Sequence, residues 1–206
     1  MKGFSEEEVF LIIEKHTKWL MNEPGGEQAN LKYADLAGLQ LPRVNLEKAD
    51  LTGANLQGAV LLLANLKAAI LSQADLSGAD LTNAVLEGTF LDCANLAGAN
   101  LSKCILLYTG LQQADLTSAN LSDTFVNNAS LEKANLTGAD LSRARINKTL
   151  FTNSLLCKAN LARATFFMAN FSNADLSQAN LDCSYFRKCI FNKANFTNTH
   201  IKGSNL

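Results

Sequence analysis

From Leu31 to Leu206, every fifth residue of this 206-residue chain is Leu, Phe, Ile or Val. There are 36 such central positions, and the series has no interruption. Two residues before the central position stands Ala, Thr, Ser or Cys in 34 of the 36 units, and Leu39 and Val44 are the exceptions. A fixed period of this kind indicates a repeat architecture, so we expect a solenoid rather than a two-layer domain.

A period of five matches neither the 3.6-residue period of a helix nor the two-residue period of a flat strand. The small residue and the central residue are two positions apart, which places both on the same side of an extended backbone. Both can therefore point into a tube if the chain turns a corner after each unit. Four units then close a square coil, and the 36 units make nine coils.

The individual units carry a recognisable signature. Examples are Ala34-Asp35-Leu36, Ala54-Asn55-Leu56, Ala94-Asn95-Leu96 and Ala139-Asp140-Leu141. These units resemble the A(D/N)LXX repeat of the pentapeptide repeat family, and the resemblance covers residues 29–206. It implies an all-β solenoid, a right-handed quadrilateral parallel β-helix of about nine coils. It implies little about activity, because the family is functionally diverse.

Residues 1–28 lie outside the repeat and predict a capping helix and a linker, so that the β-helix domain comprises residues 29–206. Ser5 and Glu8 form a capping box at the start of this helix, and Pro24-Gly25-Gly26 ends it. Its apolar stripe consists of Val9, Ile12, Ile13, His16, Trp19 and Leu20. We expect this α-helical cap to cover the first coil, as the terminal units of solenoids must be covered. A helix that binds a partner is the alternative.

The C-terminal end of the repeat has no comparable helix, because the period continues to Leu206. An uncovered last coil presents unpaired backbone groups and an apolar cross-section. We therefore predict self-association through Phe196, Ile201 and Leu206, which would give an end-to-end homodimer. The alternative is that a native cap is missing.

Several outward positions are apolar where the repeat is otherwise polar. On one side of the square these include Phe125, Phe167, Met168 and Tyr185, and further exposed apolar residues follow on the next side. A large apolar patch on a folded protein commonly marks an interaction surface. Partial burial under long neighbouring side chains is the alternative interpretation.

The same side of the square is basic. Residues 1–132 carry 16 acidic and 8 basic residues, whereas residues 133–206 carry 3 acidic and 10 basic residues. Arg145 and Arg187 share the side that holds the apolar residues, and a basic surface with interleaved aromatic residues suits an acidic partner or a nucleic acid. The candidate partner-binding residues are Phe125, Arg145, Phe167, Met168, Tyr185 and Arg187. A solvated basic face remains the alternative, and we consider nucleic acid an improbable partner because the charge is sparse.

The position before the central residue is the Asp/Asn position. On one side of the square Asp and Asn alternate from Asp35 to Asn135, which avoids like charges on neighbouring coils and allows amide ladders. We interpret these carboxylates as structural.

The sequence gives little support to catalysis, so we expect no enzyme activity, no cofactor and no metal site. His16 and His200 should lie at opposite ends of the rod, and the five cysteines form no metal-binding pattern. Their odd, scattered number favours a reducing cytoplasm. Because no apolar stretch approaches the length of a membrane span, and acidic residues precede the apolar run near the N-terminus, we expect neither a membrane protein nor a signal peptide.

Two functional hypotheses follow. The first is a non-enzymatic protein-interaction or scaffolding module that uses the outer faces of a rigid rod to bind a protein partner. The second is inhibition or protection of a type II topoisomerase such as gyrase by a DNA-mimicking member of the family. Family members of that kind are strongly acidic and dimerise through a C-terminal helical segment, and only the acidic first two-thirds of this chain would fit.

Overall fold

A computed structural model describes residues 4–206. It contains one helix, α1 (Glu6–Leu20), followed by a parallel solenoid. Five short strands lie on one side of the solenoid: β1 (Ile105–Leu107), β2 (Phe125–Asn127), β3 (Arg145–Asn147), β4 (Thr165–Phe167) and β5 (Tyr185–Arg187). They form one parallel sheet in the order β1-β2-β3-β4-β5.

The rest of the solenoid is joined by single parallel bridges between residues twenty apart, as in Asp35 to Asn55 and Asn55 to Asp75. This spacing confirms four five-residue units in each coil. In the units outside the strands, from Leu31 to Leu181, the N–H of the central residue donates to a carbonyl of the next coil, for example Leu31 N–H to the Asp50 oxygen at 2.7 Å. The 178 residues from 29 to 206 therefore make just under nine coils of twenty residues.

The central residues fill the tube. All of them from Leu31 to Phe186 are buried, and the small residues two positions earlier fill the space between them. Where that position is Thr, Ser or Cys, the side chain in most units donates to a central-residue carbonyl: Thr89 Oγ1 lies 2.8 Å from the Leu66 oxygen. Leu39 and Val44 are too large for this position and stay half-buried. The core is therefore fully packed over eight consecutive units per side.

Phenylalanine replaces leucine in the core of the last third, and the rings stack as expected. The Phe151 and Phe171 centroids are 4.7 Å apart with planes at 4°, and those of Phe166 and Phe186 are 4.7 Å apart at 5°. Phe191 extends the first stack at 5.3 Å. Each ring also meets rings of the neighbouring stack edge to face, which adds about 0.5–1.5 kcal/mol per pair to the burial.

Helix α1 covers the first coil, as predicted. Ser5 Oγ accepts from the Glu8 N–H, and the Glu8 carboxylate accepts from the Ser5 N–H, which completes the capping box. The helix ends at Leu20, four residues before Pro24. A Cβ at Gly26 would lie 2.3 Å from the Trp19 nitrogen, so only glycine permits this close return of the chain. Within residues 4–206, no helix is long and apolar enough to cross a membrane.

One side of the rod changes its backbone from tight turns to strands. On this side, in the coils before β1, each unit forms a tight turn: the carbonyl of the central residue accepts from the N–H of the residue three positions later. An example is Ala69 N–H to the Leu66 oxygen at 3.0 Å. From β1 to β5 this turn bond is not formed in the described chain, and the residue after the centre joins the ladder instead. We call this side, with the corner residues that follow each strand, the strand face.

Candidate protein-binding face

The strand face brings the predicted interaction residues into register. The parallel pairing places Ile105, Phe125, Arg145, Thr165 and Tyr185 above one another in an outward column. Ile105, Phe125 and Tyr185 are 39%, 45% and 51% exposed. In each three-residue strand the middle, central residue points into the tube, so the first and third residues point outward. Thr165 is the one short side chain between Arg145 and Tyr185, so it leaves a notch in the column.

Phe167 forms the second aromatic element of the strand face. It is half-buried, and its pairing with Arg187 of the next coil places the Arg187 guanidinium 5.7 Å from the ring centroid. Lys188 Nζ lies 5.9 Å from the same centroid. Two cations thus share one aromatic ring, an arrangement worth about 0.5–1 kcal/mol per contact at an exposed site.

A groove of about 270 Å³ runs along these residues. Its outward lining includes Phe125, Arg145, Phe167, Tyr185 and Arg187, which are five of the six residues that the sequence analysis selected. The sixth, Met168, is exposed at the following corner and does not line the groove. The structure therefore places aromatic rings and guanidinium groups around one shallow depression.

A second, larger groove of about 720 Å³ adjoins the first at the preceding corner of the rod. We call it the corner groove. It shares Phe125, Arg145 and Thr165 with the first, and is further lined by Lys103, Asp123, Thr124, Arg143 and Arg163. Sequence reasoning missed Lys103, Arg143 and Arg163. Their signal was a shared position at a twenty-residue spacing, two residues after the central residues of the side that precedes the strand face.

One carboxylate occupies part of the corner groove. Asp123 accepts from Arg143 Nε and Nη2, both at 2.8 Å, in a bidentate pair. The hydrogen-bonded Arg143 guanidinium holds the pKa of the Asp123 carboxyl below its usual range, and the charge of Lys103 acts in the same direction. The corner groove is therefore a site of positive potential.

The apolar residues on the next side are less continuous than those of the strand face. Phe90, Leu150 and Ile190 are exposed, but Gly110, Ser130 and Asn170 interrupt their column. These residues form separate small patches, because each apolar side chain has a small or polar neighbour on the adjoining coil.

The last coil shows the exposure that the sequence predicts for the self-association residues. Ile201 and Leu206 are 51% and 59% exposed, and Phe196 is half-buried. The backbone edge beneath them is partly satisfied, however. Asn205 Oδ1 accepts from the Phe186 N–H at 2.9 Å, and its Nδ2 donates to the Phe186 carbonyl at 3.2 Å. This side-chain amide takes the place of a further strand on β5.

Cys104 has a structural role in the core. Cys104 Sγ lies 2.9 Å from the Leu81 carbonyl, and burial raises the pKa of its thiol to about 12, which makes it a poor nucleophile. Residues 4–206 contain no group of three or more His, Cys, Asp or Glu side chains that could hold a metal ion.

Comparison with solved structures finds other pentapeptide repeat proteins. HetL from the cyanobacterium Nostoc sp. strain PCC 7120, described as involved in the regulation of heterocyst differentiation, is 26% identical over 98% of this chain and 96% of its own, with a TM-score of 0.41. The protein alr5209 from Nostoc PCC 7120 is 35% identical over 54% of this chain and 79% of its own, with a TM-score of 0.40. A trypsin-treated form of QnrB1, a plasmid-mediated fluoroquinolone resistance protein, is 15% identical over 84% and 89%, with a TM-score of 0.43.

A search of curated protein sequences gave no match. The sequence profile described as "Pentapeptide repeats" matches eight copies over residues 29–67, 59–92, 94–132, 134–167 and 169–206. These matches cover nearly the whole region with the five-residue period and agree with the coils of the structure. The chain therefore belongs to the pentapeptide repeat family.

Proposed function

We propose that this protein is a non-enzymatic interaction module that binds a protein partner through its strand face. The observation that carries the proposal is the groove lined by Phe125, Phe167 and Tyr185 together with the side chains of Arg145 and Arg187. Aromatic residues and arginine are the types that contribute most to binding at protein interfaces.

The rigidity of the rod supports this function. The outward residues of β1–β5 are carried on a continuous ladder, and the central residues beneath them, from Leu106 to Phe186, are buried. A partner therefore meets a surface whose backbone is already ordered, and rigid binding surfaces lose less entropy on association. The three outward positions of each unit can vary without loss of the core, so a binding surface can be built on any side.

Affinity capture with matched variants tests the proposal. Phe125→Ser combined with Tyr185→Ser removes two aromatic side chains from the strand face while leaving the core unchanged. Leu155→Ser is the control, because Leu155 is 47% exposed on the opposite side of the square. We expect a partner that is retained by the wild type and the control and lost by the double variant, with dissociation constants at least tenfold apart. Equal binding by all three proteins would contradict the proposal.

Inhibition or protection of a type II topoisomerase is the alternative from the sequence. A mimic of duplex DNA needs an acidic surface, whereas the strand face and its grooves carry Arg143, Arg145, Arg163 and Arg187. Only the acidic first two-thirds of the rod would serve. Supercoiling by DNA gyrase in the presence of the protein tests this function, and unchanged supercoiling at micromolar concentrations would argue against it.

The proposal also places the protein in the cytoplasm. All five cysteines are free, two of them exposed, which suits a reducing compartment. Cell fractionation of the native source tests this location.

A further inference from the structure

The corner groove contains more basic side chains than acidic ones, so part of its positive charge is not neutralised within the groove. Of its four basic residues, Arg143 is held by Asp123 in the bidentate pair. Within residues 4–206, Lys103, Arg145 and Arg163 form no ion pair. Three cations therefore face an open groove of about 720 Å³ that contains one carboxylate.

The carboxylate of Asp140, close to this corner, is already engaged. Asp140, on the adjoining side, acts on Arg143 through its charge, but its Oδ1 accepts from the Ser142 N–H at 2.9 Å and from Asn160 Nδ2 at 2.9 Å. It thus belongs to the hydrogen-bond network of the rod. No other described carboxylate lines the corner groove, so the three cations remain available to a carboxylate from outside.

The pair of Asp123 and Arg143 shows what the groove can recognise. Two parallel N–H···O bonds of 2.8 Å are the geometry in which a guanidinium binds a carboxylate most strongly. Arg163 occupies the equivalent corner position one coil beyond Arg143. Arg145 lies on β3, two residues after Arg143. Both present the same kind of donor to the groove.

We propose that the corner groove binds an acidic, extended segment of the partner protein, whose carboxylates pair with Arg163, Arg145 and Lys103 while an apolar side chain packs on Phe125. This inference rests on the proposed function and specifies its ligand. Lys103 and Arg163 are three coils apart, about 14 Å along the rod, which about four residues of extended peptide span. The groove therefore suits a short peptide with several acidic residues.

A protein segment fits this surface better than a nucleic acid does. Single-stranded nucleic acids bind by stacking bases on open aromatic faces. The Phe167 ring already has Arg187 and Lys188 over it, and Phe125 and Tyr185 are three coils apart on the rod. Moreover, the rod carries an excess of acidic residues before residue 133, which repels a long phosphate backbone.

Selection from a phage library of random dodecapeptides tests the inference, followed by titration of the best labelled peptides. Three proteins are compared: the wild type, Arg145→Glu with Arg163→Glu, and the control Lys133→Glu with Lys158→Glu. The control makes the same charge change at exposed lysines on other corners of the rod. Unchanged melting temperatures establish that each variant is folded.

We expect the wild type and the control to enrich peptides rich in Asp and Glu, and the arginine variant to bind them at least about 100-fold more weakly, since two charge-assisted pairs are lost. Enrichment of peptides without acidic residues, lost in Phe125→Ser with Tyr185→Ser, would overturn the inference and leave the proposed function intact. Failure to enrich any peptide, or tighter binding of an oligothymidine than of the selected peptides, would overturn the inference as well.

Discussion

At the scale of single residues, His16 joins the capping helix to the first coil. Its Nδ1 accepts from the Ala29 N–H at 3.1 Å, and its ring stacks on Trp19 with centroids 5.5 Å apart. The side chain is buried, and within the described residues its Nε2 has no hydrogen-bond partner. Burial lowers the pKa of this imidazole, and the backbone and charge of Glu47 oppose that effect in part. The folded protein therefore holds His16 neutral.

We expect the cap to weaken in mild acid. The unfolded state takes up a proton below the ordinary histidine pKa of about 6.5, whereas folded His16 resists protonation to lower pH, so this part of the stability is lost as the pH falls below about 6.5. From pH 7.5 to 5.5 the free energy of unfolding should fall, by no more than about 1.4 kcal/mol for a single histidine. Urea titrations followed by the fluorescence of Trp19, the single tryptophan, measure it.

The two histidines provide a matched comparison for this prediction. His16→Gln keeps an acceptor near the Ala29 N–H but cannot be protonated, so the pH dependence should be smaller in this variant. His200→Gln should keep it, because His200 is exposed in the last coils. An equal pH dependence in the wild type and in His16→Gln would show that His16 is not the responsible group.

At the scale of the structural elements, the Asp/Asn column works as a ladder of hydrogen bonds. Asn55 Nδ2 donates to Asp35 Oδ1 at 2.8 Å, and Asn95 Nδ2 donates to Asp75 Oδ1 at 3.0 Å. The Oδ1 of Asn95 also accepts from the N–H of Ala97, at 3.1 Å, and so fixes the turn of its own unit. Alternation therefore gives Asp35 and Asp75 an amide donor and prevents contact between like charges.

Asn95→Asp should destabilise the rod by about 1–2 kcal/mol at neutral pH, because it removes a donor to Asp75 and places three carboxylates in succession with Asp115. Thermal denaturation at pH 7 measures it. Gln73→Glu is the control, since it adds the same charge at an exposed corner one coil below. A loss in the control equal to that in Asn95→Asp would refute the role of the ladder.

The sequence predicted the elements unequally. The five-residue period, the buried central residues and the phenylalanine stacks all follow from side chains that point into the tube, where volume and polarity leave little choice. The change from tight turns to strands on one side does not follow. Val85 and Ile70 stand immediately before central residues, where most units have Asp or Asn. Their units nevertheless keep the tight turn. The strand conformation depends on pairing with the coils above and below, which no single unit encodes.

The candidate site was predictable to the same limited degree. The twenty-residue spacing brought Phe125, Arg145, Tyr185 and Arg187 together correctly, because their positions within the unit are equivalent or adjacent. The corner groove escaped prediction because Arg143 and Arg163 belong to the preceding unit, and only the geometry of the corner brings them beside β3. Likewise, the use of the Asn205 amide to complete β5 depends on a side-chain conformation that the repeat pattern does not specify.

At the scale of the whole molecule, the two ends of the rod differ. Helix α1 contributes Val9 to the same core as the coils, so the first coil is covered. At the other end the central residues become progressively exposed, from half-buried Phe191 to Ile201 and Leu206. Asn205 satisfies backbone groups of Phe186 there but does not cover this apolar cross-section. A second copy of the same end would cover it through a two-fold axis, which places identical apolar residues opposite one another.

We therefore expect the 206-residue chain to form dimers that Ile201→Glu dissociates. The substitution would place one carboxylate from each copy in the two-fold contact. Burying these charges without a basic partner should raise the dissociation constant of the dimer by about 100-fold or more. Light scattering over a series of protein concentrations gives the molar mass. Leu63→Glu is the control, because Leu63 is 44% exposed but lies in the second coil, far from this end. A monomeric wild type would refute self-association. A dimer that survives Ile201→Glu would locate the contact elsewhere, and the strand face would be the first surface to test, with Phe125→Ser and Tyr185→Ser.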